Sequence, residues 1–591
     1  MNQEIIINRI GVLKPSCRNL VESANPTPPE SKIMLKRTLL LPLIVVSIAL
    51  KAQNTVGLLQ YDPGNQDGYV LFAPNFGDTT YLIDKCGNRV HQWASPYQPG
   101  QSVYLLEDGS LLRTGRSNST VFNSGGQGGW IERYDWNNQL IWSYRISNAT
   151  ECAHHDVRFL PNGNILVIVW DLKTPSEALA IGRDSAKIGT SLWGDKILEL
   201  QPVGNNGANI VWEWNSWDHL VQDYNPNLPN YGTVAQHPEL INLNYINGAA
   251  TNADWLHCNA IDYNPLLDQV IISSHNLCEF WIIDHSTTMA EAAAHTGGRY
   301  GKGGDILYRW GNPQVYNRGT TTNKKLYGQH NTQWIQPGLT DAGNILVFNN
   351  GLARPGGNYS TVDIIAPPID SAGNYTLNGG SAFGPDSAYW KYTAPVPSSF
   401  FSTNISGAQR LSSGNTLICS GSNGIFFEID VQKNSVWRYV SPVGQNGALI
   451  SQGNNPTMNS VFRSTLYEAS YPGLAGQSLV PGTPIELNPT PSTCAMITSA
   501  GTLTESKDIA LSVTNPFSDV LWLHYEGQPQ MAAATLYDMT GKVVQTWDEL
   551  YLQPGESTAL EVQHSVSTGC YMLHVNVAGT VWRQRMVAGV R

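Results

Sequence analysis

Short apolar runs, broken by turns of the Asp-Gly, Asn-Gly or Gly-Asn kind, recur along this chain. One half-unit reads apolar, three turn residues, then Leu or Ile: LLEDGSLLRTG, FLPNGNILVIV, DAGNILVFNNG and LSSGNTLICSG. The other ends in an aromatic-rich strand: GGWIERYDWNNQLIWSY, DKILELQPVGNNGANIVWEWN, GDILYRWG and GIFFEIDVQKNSVWRYV. Each half predicts two strands joined by a tight turn, because Gly and Asn supply the positive φ that hairpins require. Two hairpins make a four-stranded antiparallel sheet of about 45 to 70 residues per unit, and such sheets repeated radially form a propeller.

About six units fit between Gly68 and Leu479. The first starts at GYVLFAP and runs through TTYLIDKCGNRVHQW; later ones start near Gln101, His155, His257, His330 and Ser406. The segment NSVFRSTLYEASYPGL starts like a strand and is placed to close the ring by pairing with the first unit. The expected fold class is all-β, a six-bladed β-propeller over residues 53–479, with a two-layer sandwich as the competing architecture. Insertions at 215–250 and 311–328 are expected as loops on one face, where propellers bind ligands.

Composition agrees with many short strands. Of 591 residues only 14% are charged, with 55 Gly and 18 Trp. A formal net charge of −11 and the lack of basic clusters exclude a nucleic-acid partner. The N-terminus reads as a leader over residues 1–52. From Met34 the sequence MLKRTLLLPLIVVSIALKAQ sets Lys36 and Arg37 ahead of an apolar run, a secretory signal peptide cleaved after Ala52. A retained anchor or buried helix competes, but the run is short for a membrane span. Without Cys17 of the leader, seven scattered cysteines remain, with no CxxC pair to suggest a zinc knuckle and no pairing that the sequence decides.

Residues 480–506 are rich in Pro, Ser and Thr and read as a linker. A strand-rich module follows at 507–591. Its phrases Asn515-Pro516-Phe517, Leu536-Tyr537-Asp538-x-x-Gly541-Lys542 and Gly569-x-Tyr571 resemble the C-terminal sorting domain of the type IX (Por) secretion system. That resemblance implies a small immunoglobulin-like β-sandwich, dealings with the secretion machinery, and a secreted or surface location. Arg583 or Arg585 stands where such domains usually carry Lys, a mild departure.

The candidate chemistry lies in histidines near the starts of three units: His155 (beside His154), His257 and His330. In the uninterrupted units the marked residue, Gln101, His155 or Ser406, stands eight positions before Gly109, Gly163 or Gly414. In DWLHCN, strand alternation puts His257 and Asn259 on one face, as neutral donors for an anionic, multi-oxygen group. A neutral imidazole serves as nucleophile, general base or metal ligand. A three-histidine metal site therefore remains open, although no HxH pair occurs and the nearby carboxylates are Asp156 and Asp254.

With HHDVRFLPNGN, DWLHCNAIDYNPLLDQVIISS, QHNTQW with GNILVFNNG, and VFR with YPG, the run from about Gly68 to Gly476 resembles the bacterial arylsulfate sulfotransferases. The resemblance implies transfer of a sulfuryl group from a phenolic sulfate ester to a phenol through a sulfohistidine, with neither PAPS nor a metal required. At matching positions it makes His330 the nucleophile, His257 and Asn259 the holders of the sulfuryl oxygens, and His155 or His154 a proton donor or anion ligand. One departure stands out: IISSHNL places His275 where the family commonly has Arg, which predicts a weaker or pH-dependent anion clamp. Arg354, just after NNGLA, is the candidate to compensate. A non-catalytic ligand-binding propeller is the rival from a different class.

Overall fold

The computed structural model describes residues 54–490, 494, and 511–588 apart from 516, 539–542, 563–565, 567–568 and 578–579. The leader with its signal peptide, and most of residues 491–510, lie outside the described residues. The chain is all-β, with a few short helical turns. Six sheets of the expected four-stranded antiparallel kind follow one another in sequence.

Each sheet has an edge strand from which the others are laid outwards. These edge strands are β1 (Pro99–Leu105), β2 (Glu151–Phe159), β3 (Cys258–Asn264), β4 (His330–Trp334), β5 (Gly407–Arg410) and β6 (Val461–Tyr467). They touch in order, β1 to β2 and onwards, and β6 returns to β1, so the contacts close a circuit. β6 comes from the far end of this region and pairs antiparallel with Tyr69–Pro74 of the first unit, Tyr69 opposite Tyr467. Gly57–Tyr61 adds a fifth strand to the last sheet.

The hairpin turns follow the local chemistry read above. Gly163 and Gly414 sit at φ +87° and +85°, where a Cβ would be strained. Burial decreases outwards through the sheets. Ile165–Val169 beside β2 is buried throughout, whereas the outermost strands, such as Leu140–Arg145, are largely exposed.

The aromatic-rich fourth strands have a specific use. Trp93, Trp142, Trp214, Trp310 and Trp437 donate their indole N–H groups to Asp135, Gly207, Gly304, Pro385 and Lys85 carbonyls, at 2.7–3.0 Å. Each bond crosses from one sheet to the next, and the last links the sixth sheet back to the first. Such bonds contribute about 0.5–1.5 kcal/mol each, in addition to the burial of a large ring. The salt bridge between Lys85 and Glu428, 2.6 Å and fully buried, ties the same first and last sheets. Residues beyond Leu479 also hold on: Pro484 bridges to Asn88, Leu487 to Ser451, and Cys494 is disulfide-bonded to Cys86.

The C-terminal module is a three-stranded and a four-stranded antiparallel sheet. They share one core that includes Leu521, Leu523, Leu536, Leu560, Leu573 and Met586.

Candidate active site

The site is built from the middle of β2, the residue just before β3, and the starts of β4 and β6. Four imidazoles and a phenyl ring stand in a circle. The ring centroids of His155 and His257 are 4.6 Å apart, those of His257 and His275 5.2 Å, and those of His275 and His330 5.2 Å. Phe462, at the start of β6, closes the circle at 6.2 Å from His155 and 6.5 Å from His330. His155 and His330 are buried, and the His257 side chain retains 16% exposure at the mouth.

The backbone at this end is irregular. His155 and His257 take left-handed φ of +53° and +50°, but in the next unit Asn331 does so (+51°), not His330. Bulges interrupt the pairing of the three strands, alike in β3 and β4 and longer in β2. The three histidines therefore converge in space without occupying one identical step of the repeat, as their spacing had suggested. A left-handed non-glycine residue costs about 1–3 kcal/mol and persists where its surroundings impose it. Gly126 is one such surrounding: a Cβ there would lie 1.9 Å from His155 Cε1.

The hydrogen bonds settle the tautomers (assigned from the network). Asn350 donates from Nδ2 to the carbonyls of Ser402 (2.9 Å) and Ile405 (3.0 Å), so its Oδ1 faces His330 Nδ1 at 2.8 Å as an acceptor. His330 thus carries its proton on Nδ1 and a lone pair on Nε2, which accepts a long 3.2 Å contact from the Ile405 N–H. His275 is arranged likewise. Asn276 donates to the Asp254 carbonyl and accepts from His275 Nδ1 at 2.9 Å, leaving the His275 Nε2 lone pair free to face the site. His154 reaches the Asp195 carboxylate through Nε2 at 2.7 Å and meets His155 Nδ1 through Nδ1 at 2.9 Å. The neutral tautomer of His154 that donates to Asp195 accepts from His155, so His155 too presents a bare Nε2.

His257 differs. Its Nδ1 lies 2.5 Å from Asp254 Oδ2, while Asp254 Oδ1 accepts from Trp170 Nε1 at 3.1 Å. Burial opposes charge on His257, but the Asp254 carboxylate outweighs it and raises the imidazole above its ordinary pKa. Burial and the neighbouring His257 hold His155 well below the ordinary value. Burial, with His275 beside it, does the same to His330. Burial and His257 bring His275 down to about 4. The circle therefore contains one imidazole favoured as a cation and three favoured as neutral bases.

Two residues expected to bind substrate are engaged otherwise. Asn259 is fully buried and donates to the Gln329 carbonyl at 2.7 Å, bracing the chain just before His330. The alternation argument that paired it with His257 fails because β3 starts only at Cys258, after the left-handed His257. Arg354 stacks 4.4 Å from the Tyr359 ring centroid and donates to Thr361 at 3.3 Å, with Tyr327 on another side. These contacts are not with the circle. Sequence reasoning missed Asp195, Trp170, Asn276, Asn350 and Phe462. Only Asn276, Asn350 and Phe462, inside the IISSHNL, GNILVFNNG and VFR phrases, carried any signal.

A small cavity of about 220 Å³, lined by Tyr245, Trp255, Leu277, Asn252 and Asn276, adjoins Asp254 beside the mouth. A larger cavity, about 740 Å³, lies instead towards the C-terminal ends of β1–β6 and includes none of the four histidines. Among its charged residues, Arg158 pairs with Asp262 and Arg463 with Asp156, each at 3.0 Å. Titratable groups held away from their ordinary states line this cavity too, Asp262 and Tyr467 among them. What sets the circle apart is the gathering of four imidazoles, and the chemistry is assigned there.

The family model described as arylsulfotransferase (ASST) matches residues 60–446. A secretion-system C-terminal sorting domain matches residues 515–588, which marks the chain for export through the type IX system to the cell surface or out of the cell. No curated protein matches. Among solved structures, a protein of unknown function from Bacteroides caccae is 11% identical, with a TM-score of 0.36, covering 68% of this chain and 99% of its own. A virginiamycin B lyase from Staphylococcus aureus is 10% identical, with a TM-score of 0.30, covering 69% of this chain and 99% of its own.

Proposed function

Since the chain belongs to the arylsulfotransferase family, we propose that the histidine circle transfers a sulfuryl group from a phenolic sulfate ester to a phenol through a sulfohistidine on His330, without PAPS. The observation that carries this reading is the tautomer of His330. Asn350 holds the proton on Nδ1 and leaves the Nε2 lone pair on the circle, beside the imidazole favoured as a cation.

In the first half-reaction, His330 Nε2 forms a bond to sulfur as the ester S–O bond breaks. The substrate displaces the long Ile405 N–H contact, and the departing phenolate takes a proton from His257. In the second, an acceptor phenol attacks sulfur and the S–N bond breaks. The phenolic proton returns to His257, restoring its charge, and His330 is again neutral. Like phosphoryl transfer, this step depends on positioning and on donors for the equatorial oxygens. The His257 cation meets that need, and His275 does so when protonated. His155 Nε2 accepts a hydrogen bond from the acceptor hydroxyl before its proton passes to His257. Tyr245 and Trp255 in the adjoining cavity suit an aryl group.

We read the surrounding architecture as a six-bladed propeller. The closed circuit of edge strands, the pairing of β6 with the first unit, and the Trp ties between successive sheets support it. The two-sheet C-terminal module is read as immunoglobulin-like. A three-histidine metal centre would need three ring nitrogens gathered around one ion. Among the described residues, no three of these histidines bring ligand atoms within 4.8 Å of one another.

The test is His330→Ala. Transfer from 4-nitrophenyl sulfate to a phenol is expected to fall to background while the circular dichroism spectrum and melting curve stay those of the parent. Retained turnover would remove His330 as carrier, and absence of turnover in the parent would favour a non-catalytic ligand-binding propeller.

A further inference from the structure

Away from the circle, at the outer side of the third and fourth sheets, His219, His295 and Asp305 converge. His219 follows the strand Gly207–Asn215 and is fully buried; His295 and Asp305 bracket the glycine-rich loop 296–304. His219 Nδ1 lies 2.7 Å from Asp305 Oδ1, and His295 Nδ1 lies 2.8 Å from the same oxygen.

The proton positions make this arrangement unusual. His219 Nε2 is 2.8 Å from the Ala292 carbonyl, which can only accept, so that nitrogen carries a hydrogen. A neutral His219 then aims its Nδ1 lone pair at a carboxylate oxygen 2.7 Å away. Two acceptors at that distance require a positive centre between them, either a second ring proton or a cation. Three features favour the cation. A third donor, His295 Nδ1, closes on the same point, and the three ligand atoms lie within 4.8 Å of one another. The carbonyl on His219 Nε2–H is the kind of outer partner that orients metal-bound imidazoles. The His295 side chain is 58% exposed, which leaves a fourth position open to water.

We propose that His219, His295 and Asp305 form a zinc site that staples the 296–304 loop to the edge of the third sheet. Two imidazole nitrogens, one carboxylate oxygen and a water make a tetrahedral set. Zinc at about 2.0–2.1 Å from its donors separates them by about 3.3 Å. The present contacts would open by about half an ångström: the exposed His295 ring can swing out, and Asp305, which follows the 296–304 loop, shifts with it away from the buried His219.

The test uses the untagged full chain, dialysed against EDTA and then titrated with zinc, with metal content read by mass spectrometry and affinity by calorimetry. One zinc per chain is expected. His295→Ala, chosen because this ring is exposed and its loss spares the core, should weaken binding at least about tenfold. Zinc should raise the melting temperature of the parent and not that of the variant. No stoichiometric binding by the parent, or equal binding by parent and His295→Ala, would overturn the site.

Discussion

His330 and Asn350 are joined Nδ1 to Oδ1 at 2.8 Å, and the Asn350 amide cannot turn over because its Nδ2 serves two carbonyls. A neutral amide here directs the imidazole proton without adding charge. Asn350→Asp is of the same size but gives up the two bonds to the Ser402 and Ile405 carbonyls and places a carboxylate against the ring, favouring the imidazolium that cannot attack sulfur. Turnover at pH 7 should fall about tenfold or more, with the acid limb of the kcat profile moved to higher pH. An unchanged pH profile would show that this contact does not govern His330.

His257 acts in the opposite sense, since Asp254 raises its pKa against the effect of burial. Asp254→Asn removes the carboxylate, so the basic limb, where His257 loses its proton, should move to lower pH. Stability carries the same signs. The raised His257 contributes stability that is complete below the unfolded value of about 6.5 and is lost as pH rises through its folded value. The depressed His155 and His330 contribute stability that is complete above about 6.5 and is lost as pH falls towards their folded values. Melting temperatures across pH 5–9 for the parent and Asp254→Asn check both: the variant should lose the His257 contribution.

His275, held down to about 4, is a neutral ring whose bare Nε2 offers a sulfate oxygen no hydrogen. Donor KM in the parent should therefore rise as pH passes upward through about 4, where His275 loses its proton, and this ring should add nothing to its pH dependence above that. His275→Arg supplies a permanent charge-assisted donor and should lower KM about tenfold at pH 8, with a flatter pH dependence. If His275→Arg leaves KM and its pH dependence as they were, His275 does not touch the sulfate group.

Much of this was legible because it is local. The turns around Gly163 and Gly414 are dictated within a few residues, and the aromatic fourth strands follow from alternation, although their inter-sheet N–H bonds do not. His155, His257, His275 and His330 were visible as residues because each lies in a short distinctive phrase. The protonation of His155 and His330 was not, because the groups that set it are remote: Asp195 is 41 residues from His154, and Asn350 20 from His330. Asp254 and Asn276, which act on His257 and His275, are close in sequence, but their contacts are not legible there. The misreading of Asn259 has a local cause. Alternation assumes an extended backbone, and His257 at φ +50° departs from it at the residue where the argument began.

The central claim is a covalent sulfuryl carrier on His330. The most direct measurement is the intact mass of the protein after exposure to 4-nitrophenyl sulfate without acceptor, followed by peptide mapping. The account predicts a gain of one sulfuryl group, located on His330 and discharged when a phenol is added. Turnover with no such gain, or a gain located on another residue, would contradict it.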